Sequence, residues 1–339
     1  MRHFLQNPLS LCKMVGVGAI LCGWLIPALA LADSHLLVVS GISGEPEFSD
    51  TFQRWSQTLI DAAEQRYGVA KTHVVYLSED PARDPQRASG RSTKEDIGKA
   101  FADIAARAKP GDEVFIVLLG HGAARGKSAV FNLPGPDITA AEFAPLLDNL
   151  KAQKVVFVNA AAASGPFIQA LSGPNRVVIS ATASGAEVYF AEFGGFFTAA
   201  FAAAGADTDK NGQVSVLEAF DYARREVERL YQTDNRLPTE HAMLDDNGDG
   251  KGSLEPDPGN GDGALARTVF LRGEAVVSAA DSPEVAALKQ AQLDLERRIE
   301  ELKSRKAALE TEAYETQLEE LLVELALKGR ELKAREGRQ

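Results

Sequence analysis

The pattern of hydrophobic and polar positions alternates short apolar runs with amphipathic segments from His35 to about residue 220. Runs of β-favouring residues lie at 35–41, 72–77, 114–119, 155–158 and 176–181, and those at 114–119 and 155–158 carry no charge. Between them, apolar residues recur at spacings of three and four, as at Phe48, Phe52, Trp55 and Leu59, which is typical of one helix face. This alternation predicts an α/β fold with a doubly wound, mainly parallel sheet.

Two of the apolar runs lead into segments that could carry chemistry. The run 114–119 ends in Gly120-His121-Gly122, and the run 155–158 ends in the small-residue turn 159–165. A helix from Thr139 to about Leu150 lies between them, and Thr139 and Glu142 have the spacing of a capping box. The two strands should therefore be parallel and adjacent, with their carboxyl ends at the edge where α/β proteins hold their active sites.

The two segments together resemble the caspase/legumain superfamily of cysteine endopeptidases. In that superfamily a strand is followed by Gly-His-Gly, and about 40 residues later a second strand is followed by x-Ala-Cys-x-Ser-Gly. The similarity covers roughly residues 35–220 and includes a Gly-Phe-Thr segment within 194–198. It implies a caspase-like fold, with His121 as the base and position 162 as the nucleophile. Position 162 is alanine.

Ala162 predicts a pseudopeptidase, an inactive relative that binds a protein or peptide ligand and in which His121 is a relic. The alanine-rich run 160–163 favours a natural alanine over an introduced one. The alternative is an active hydrolase in which His121 activates another nucleophile, with Ser164 the nearest candidate. No Gly-x-Ser-x-Gly elbow accompanies that serine.

Twelve residues from Asp207 to Glu218, here named the calcium loop, match the EF-hand pattern at every position. Side-chain oxygens would come from Asp207, Asp209, Asn211, Ser215 and Glu218, and a backbone carbonyl from Gln213. Gly212 permits the bend, and the next helix should bury Leu217, Phe220, Ala223 and Val227. The pattern predicts bound calcium; an acidic turn that only caps a helix is the alternative.

A second acidic loop repeats part of this pattern. Its candidate ligands are Asp245, Asn247, Asp249 and Lys251, the last through its carbonyl. Position 12 falls on Pro256, and Glu255 is one residue short, so the closing carboxylate is missing. The loop is therefore an incomplete calcium site, a site completed from elsewhere, or a polar turn. The run Arg267–Leu271 that follows predicts one more strand at a sheet edge.

The C-terminal residues 283–335 predict a long helix with a leucine seam. Leucines repeat every seven residues at 288, 295, 302 and 309, and after a slip in register further leucines follow at 318, 322, 325 and 332. Such a seam predicts self-association or binding to a partner helix. A helix folded back on the α/β domain is the alternative.

The first 32 residues have the composition of a secretory signal: Arg2 and Lys13, an apolar stretch, then Ala30-Leu31-Ala32 as a cleavage site. The apolar stretch is short for a membrane span, so we expect a periplasmic or secreted protein with no stable membrane anchor after cleavage. Both cysteines, Cys12 and Cys22, lie in this segment. The exported chain would therefore hold no disulfide and no catalytic thiol.

The net charge of the chain limits the classes of partner that it can bind. The net charge is −12, and it becomes −14 without residues 1–32, which carry two basic and no acidic side chains. An acidic surface argues against nucleic acid and suits a cation-binding protein. The predicted organisation is a signal peptide (1–32), a caspase-like α/β domain (33–205), an EF-hand-type calcium segment with the final strand (206–277), and a linker with the coiled-coil tail (278–339).

Overall fold

The structure is a computed structural model that describes residues 33–125, 128–150, 153–259, 261–273, 282–304, 306 and 309–336. The predicted signal peptide and the predicted linker at 278–281 lie outside these residues. Within the described part of the chain, no helix is both long enough and apolar enough to cross a membrane.

A seven-stranded sheet forms the centre of the fold. The strands of the described chain are β1 (Ser34–Ser40), β2 (Val74–Ser78), β3 (Gly90–Arg91), β4 (Glu113–Leu119), β5 (Gly122–Arg125), β6 (Ser128–Phe131), β7 (Ile138–Thr139), β8 (Lys154–Asn159), β9 (Arg176–Ser180) and β10 (Met243–Asp245). The sheet order is β10-β9-β8-β4-β1-β2-β3, and only the edge strand β10 runs antiparallel to its neighbour. The predicted α/β fold with a mainly parallel sheet is confirmed.

Helices cover both faces of this sheet. They are α1 (Pro46–Asp61), α2 (Lys94–Arg107), α3 (Ala140–Leu147), α4 (Pro166–Leu171), α5 (Phe193–Ala200), α6 (Val216–Thr233), α7 (Pro283–Ser304) and α8 (Thr311–Glu336). Apolar side chains of α1, α5 and α6 pack on one face with Leu36 and Val38 of β1. Those of α2, α3 and α4 pack on the other face with Leu37 and Val39. Alternate residues of one uncharged strand thus enter opposite cores, as expected for a strand buried on both faces.

The connection from β4 to β8 holds more than the predicted helix. Strands β5, β6 and β7 form a small antiparallel sheet before α3 begins. The hydrophobic pattern did not predict them, because these strands have two to four residues each and are too short to show a period. The predicted capping box is confirmed: the Thr139 hydroxyl accepts from the Glu142 amide, and the Glu142 carboxylate accepts from the Thr139 amide.

The predicted strand Arg267–Leu271 is wrong. Residues Ala266–Thr268 form a 3-10 turn, and Phe270 makes only an isolated antiparallel bridge with Ser215. Apolar residues in this run are nevertheless buried, because they fill the same core as α6. The run was apolar for packing and not for strand pairing, a distinction that composition cannot make.

The calcium segment shares its core with the α/β domain. Val214, Val216 and Phe220 belong to the same apolar cluster as β1 and β4. At the other end of the sheet, the buried Arg272 guanidinium contacts the buried Glu113 carboxylate at 2.9 and 3.3 Å. Apolar residues of 33–205 and of 206–273 therefore belong to one shared core.

The tail consists of two helices where the sequence predicted one long helix. Helix α7 packs against α8 and against the 3-10 turn at 266–268. Leu288, Leu295 and Leu302, which form the predicted seam, are buried within the chain itself, as is Ile299. Helix α7 ends at Ser304 and α8 begins at Thr311, on either side of Leu309, after which the leucine register slips.

Candidate functional site

His121 and Ala162 lie at the carboxyl ends of adjacent parallel strands, as predicted. Strands β4 and β8 pair in register up to Leu118 and Asn159, so the two segments leave the sheet side by side. A Cβ atom at Gly122 would lie 2.5 Å from the Ala162 carbonyl oxygen and 3.0 Å from the Ala161 Cβ. Only glycine allows this approach, which explains the second glycine of Gly-His-Gly.

The His121 ring is oriented by one hydrogen bond. Its Nε2 lies 3.1 Å from the Ser43 carbonyl oxygen, which follows β1. Because a carbonyl only accepts, Nε2 carries the proton and Nδ1 keeps the lone pair in the neutral ring. Burial lowers the pKa of His121, and this outweighs the opposing effect of the hydrogen bond to Ser43. The imidazole is therefore neutral near pH 7 and retains the form that a base requires.

Aromatic rings surround the imidazole. The Phe48 and Phe52 rings of α1 meet it edge to face, at centroid distances of 4.6 and 5.2 Å. The Phe190 ring lies at 5.9 Å and stacks with Trp55 of α1. The apolar residues predicted to share one face of a helix do so in α1, and Phe48 and Phe52 of that face contact His121. These rings exclude water from one side of His121, which is the cause of its lowered pKa.

The turn after β8 presents Ala162 at the position of the predicted nucleophile. The Asn159 side-chain oxygen accepts from the Ala161 amide, and the Ala163 amide donates to the Glu187 carbonyl oxygen. Ala163 adopts a left-handed conformation with φ of 54°, so the turn is tight. Ala162 is buried. Its side chain is a methyl group, which can neither attack a carbonyl nor exchange a proton.

Ser164, the alternative nucleophile, is engaged elsewhere. Its hydroxyl oxygen lies 3.2 Å from the Thr182 hydroxyl and also accepts from the Thr182 amide. The side chain is buried. No hydrogen bond of the described residues joins it to His121. Ser164 therefore ties the turn after β8 to the end of β9, while His121 faces α1 and Ser43.

The loop 182–191 after β9 forms the outer rim of the site. Glu187 fixes it: its carboxylate accepts from the Ala183 and His241 amides and lies 3.0 Å from the His241 Nδ1. The next two residues, Val188 and Tyr189, are 58 % and 67 % exposed. A rigid loop base with an exposed apolar tip beside the site offers surface for an apolar group of a ligand.

The calcium loop places its acidic side chains together. Carboxylate oxygens of Asp207, Asp209 and Glu218 lie within 4.8 Å of one another. Asp207 also accepts from the amides of Asn211 and Gly212, and Gly212 has φ of 89°, as the bend requires. Glu218 folds back over the loop and accepts from the Thr208 amide. These carboxylates can hold a hard divalent cation.

Ser215 has a second role in this loop. It is the N-cap of α6, with a capping box to Glu218. The preceding helix α5 ends at Ala200, so a turn separates it from the loop. The predicted inward face of α6, namely Leu217, Phe220, Ala223 and Val227, is confirmed as buried. The Asn211 and Gln213 side chains bond to Asp209 and to Glu296 of α7, respectively.

The second acidic loop is ordered by its own side chains. The oxygens of Asp245, Asn247 and Asp249 accept from the amides of Gly248, Asp249 and Lys251 in succession. Beneath them, Asp246 and Asp262 accept further backbone amides. One oxygen of the buried Asp245 carboxylate has no hydrogen-bond partner, and it is the group a cation would neutralise.

Three contributors to the site were not identified from the sequence: Ser43, Phe190 and Glu187. Ser43 acts through its carbonyl, which carries no side-chain signature. The run Val188-Tyr189-Phe190 in an otherwise small and polar loop was the one available signal, since exposed aromatic residues in loops are typical of binding surfaces.

A family of known proteins resembles this chain in sequence. Residues 94–241 match the model of the Peptidase C13 family. This match confirms the resemblance to the caspase/legumain superfamily. The chain also resembles the crystal structure of protein GSU0716 from Geobacter sulfurreducens, at 13 % identity and a TM-score of 0.41, over 62 % of this chain and 92 % of that one.

A second solved structure, the crystal structure of drICE, is similar at 11 % identity and a TM-score of 0.35, over 59 % of this chain and 85 % of that one. None of the curated protein sequences compared with the chain matches it.

Proposed function

We propose that this caspase/legumain-like protein is an exported, calcium-binding pseudopeptidase that holds a peptide or protein ligand in its cleft without cleaving it. The observation that carries the proposal is Ala162. It occupies the position that matches the superfamily's cysteine, on the turn whose backbone contacts Gly122, and the chain has no cysteine after residue 32. Covalent catalysis by this route needs a nucleophile that a methyl group cannot replace.

The surroundings of His121 support ligand binding. An imidazole held by the Ser43 carbonyl and packed against aromatic rings forms a fixed, partly apolar surface. Its rim carries the exposed Tyr189 on one loop, and on the loop after β1 the exposed Ile42. This surface fits an extended peptide that presents an apolar side chain, since apolar recesses with a few fixed polar groups are typical of binding sites.

The hydrolase alternative draws no support from this arrangement. Ser164 would have to give up its bonds to Thr182 and reorient before it could reach an imidazole that now contacts α1. Losing hydrogen bonds in a buried setting costs roughly 1–3 kcal/mol per group. The binding function requires no such rearrangement.

Calcium is proposed for the loop Asp207–Glu218, with the three clustered carboxylates as the principal ligands. Because the loop leads directly into α6 and the shared core, bound calcium would stabilise the whole domain. Export is proposed from the signal-like composition of residues 1–32. An extracellular or periplasmic setting would supply the calcium that weak EF-hand sites need.

Ligand binding can be tested with the fluorescence of Trp55, the only tryptophan outside residues 1–32. Its ring stacks on Phe190 at 5.8 Å, so binding at this surface should change its emission. A peptide library is titrated into the protein and into the Tyr189→Ser variant, which removes exposed apolar surface. The matched control is Leu237→Ser, an exposed apolar residue outside the site. We expect saturable binding that Tyr189→Ser weakens and the control does not; no binding by any peptide would contradict the proposal.

The absence of cleavage can be tested on the same library. We expect no peptide hydrolysis by the protein with or without calcium. Turnover that is abolished in the His121→Ala variant would show an active hydrolase and end the pseudopeptidase proposal. The Ser164→Ala variant would then reveal whether that serine is the nucleophile.

Calcium binding is tested by calorimetric titration. We expect saturable heat and a higher Tm with calcium, both lost in Glu218→Gln. A protein without binding heat and with an unchanged Tm would remove calcium from the proposal and leave the cleft unaffected.

A further inference from the structure

The outward face of α8 carries a short apolar patch within a charged helix. Val323 and Leu327 are 53 % and 57 % exposed, and Leu322 beside them is also exposed. The opposite face of α8, with Tyr314, Leu318 and Leu325, is less exposed and belongs to the side that packs on α7. Helix α8 therefore has one apolar row used within the chain and a second row that faces solvent.

The solvent-facing row has opposite charges at equal distances from its centre. Glu320 precedes Val323 by three residues, and Arg330 follows Leu327 by three, so the sequence of the row is acidic, apolar, apolar, basic. All four side chains are exposed. The spacings of three, four and three keep the row on one helix face, as in a coiled-coil seam. Along the helix axis, the midpoint of the row is level with Leu325, which itself lies on the opposite face.

The charge pattern extends along the whole helix. Residues 312–324 contain five glutamates and no basic residue, whereas residues 328–335 contain four basic residues and one glutamate. In an antiparallel pair of α8 helices, the acidic half of each lies against the basic half of the other. In a parallel pair, like charges would face each other along the full length, which is unfavourable.

We propose that two copies of this chain associate through α8, antiparallel, about a two-fold axis at Leu325. Val323 of each copy packs on Leu327 of the other, and Glu320 of each faces Arg330 of the other. Because the surface is self-complementary, it closes after two copies, as isologous interfaces do. The leucine seam of α7 takes no part, since it is buried within the chain.

The inference deepens the proposed function, because it gives a ligand-binding protein a second copy and hence two linked clefts. The inference also names the helix and the face through which the self-association predicted for residues 283–335 would occur. The helix has 26 residues and a length of roughly 39 Å, enough for the four-residue row and its flanking charges.

Charge reversal tests both the surface and its direction. The association of the full chain is measured by sedimentation equilibrium for the wild type, Glu320→Arg, Arg330→Glu and the double variant. Each single reversal sets like charges against each other twice, so we expect the dimer Kd to rise roughly tenfold or more. The double variant restores opposite charges in the antiparallel pair and should regain most of the affinity. Glu315→Arg makes the same charge change outside the row, so it should raise the Kd much less than Glu320→Arg does.

A wild-type protein that is monomeric at every attainable concentration would overturn the proposal. Single reversals without effect, or a double variant no better than the singles, would overturn it too. Circular dichroism should show the same helix content in all variants, because both residues are exposed. The Trp55 peptide titration is run on the same samples: a dimer without peptide binding refutes the proposed function alone, and a monomer that binds peptide refutes the α8 surface alone.

Discussion

The buried pair of Glu113 and Arg272 joins the start of β4 to the last described residues of the calcium segment, and its loss should be costly. Two nitrogens of the Arg272 guanidinium lie 2.9 and 3.3 Å from the two Glu113 oxygens. The side chains are 0 % and 6 % exposed. The substitution Arg272→Met removes the partner of a carboxylate that has no access to water, while filling most of the volume.

The expected cost is about 3–4 kcal/mol. Breaking a buried ion pair from one side typically costs about 3–5 kcal/mol, because the remaining charge is left without compensation. Lys154 lies 4.0 Å from Glu113 and partly compensates the charge that is left behind. Because this contact is longer and half-exposed, it offsets only a small part of the lost free energy. The Arg272 backbone amide keeps its bond to the Ser34 hydroxyl, which the substitution does not touch.

The assay is equilibrium unfolding in urea at fixed calcium, followed by circular dichroism and Trp55 emission. The matched control is Arg87→Met. Arg87 contacts Asp61 through two nitrogens at 2.9 and 3.1 Å, the same geometry, but the side chains are 29 % and 38 % exposed. Arg87 also lies 3.4 Å from the Asp84 carboxylate, which keeps its hydrogen bond from Gln57 in the variant. An exposed pair contributes about 0–1 kcal/mol, so the two variants should differ by at least 2 kcal/mol.

A loss at Arg272 no larger than that at Arg87 would refute the reasoning that burial sets the value of this pair. The double variant Glu113→Gln with Arg272→Met refines the result. It removes both charges, so it should be more stable than Arg272→Met alone.

Three further predictions concern other parts of the molecule. The Lys303 ammonium of α7 lies 3.3 Å from the Asp209 carboxylate of the calcium loop and competes with a cation for it. Lys303→Ala should therefore raise the calcium affinity measured by calorimetry about threefold, and unchanged or weaker binding would contradict this. Gly122→Ala should cost about 2 kcal/mol in urea unfolding, because its Cβ would meet the Ala162 carbonyl, whereas Gly98→Ala in α2, where a Cβ meets nothing, should be neutral or stabilising. Burial raises the pKa of Glu240 to about 7, so its contribution to stability is intact below about pH 4.5 and is lost as the pH rises through 7. The free energy of unfolding should therefore fall by about 3 kcal/mol less in Glu240→Gln than in the wild type over this pH range. Parallel curves of stability against pH for the two proteins would contradict this prediction.

The sequence was sufficient where one local signal determines one local structure. Runs of β-favouring residues became the parallel strands, and the capping box at Thr139 formed as predicted. The adjacency of His121 and Ala162 also followed from local information, because a strand-helix-strand unit leaves little choice of topology. The place of Gly122 and Ala162 at the candidate site could therefore be predicted from the sequence.

Tertiary structure decided the features that depend on residues far apart in the chain. Phe190 reaches His121 only because β9 returns beside β8, and the Ser43 carbonyl reaches it only because β1 lies beside β4. The run Arg267–Leu271 was apolar in sequence, but packing made it a core segment without a strand.

The tail shows the same division most clearly. Its heptad leucines predict helices that bury one face, and they do bury it. Which surface covers that face is a competition between the protein's own core and another molecule, and only the folded chain decides it. Here the chain's own surface covers the α7 leucines, and the solvent-facing row of α8 is what remains for a partner.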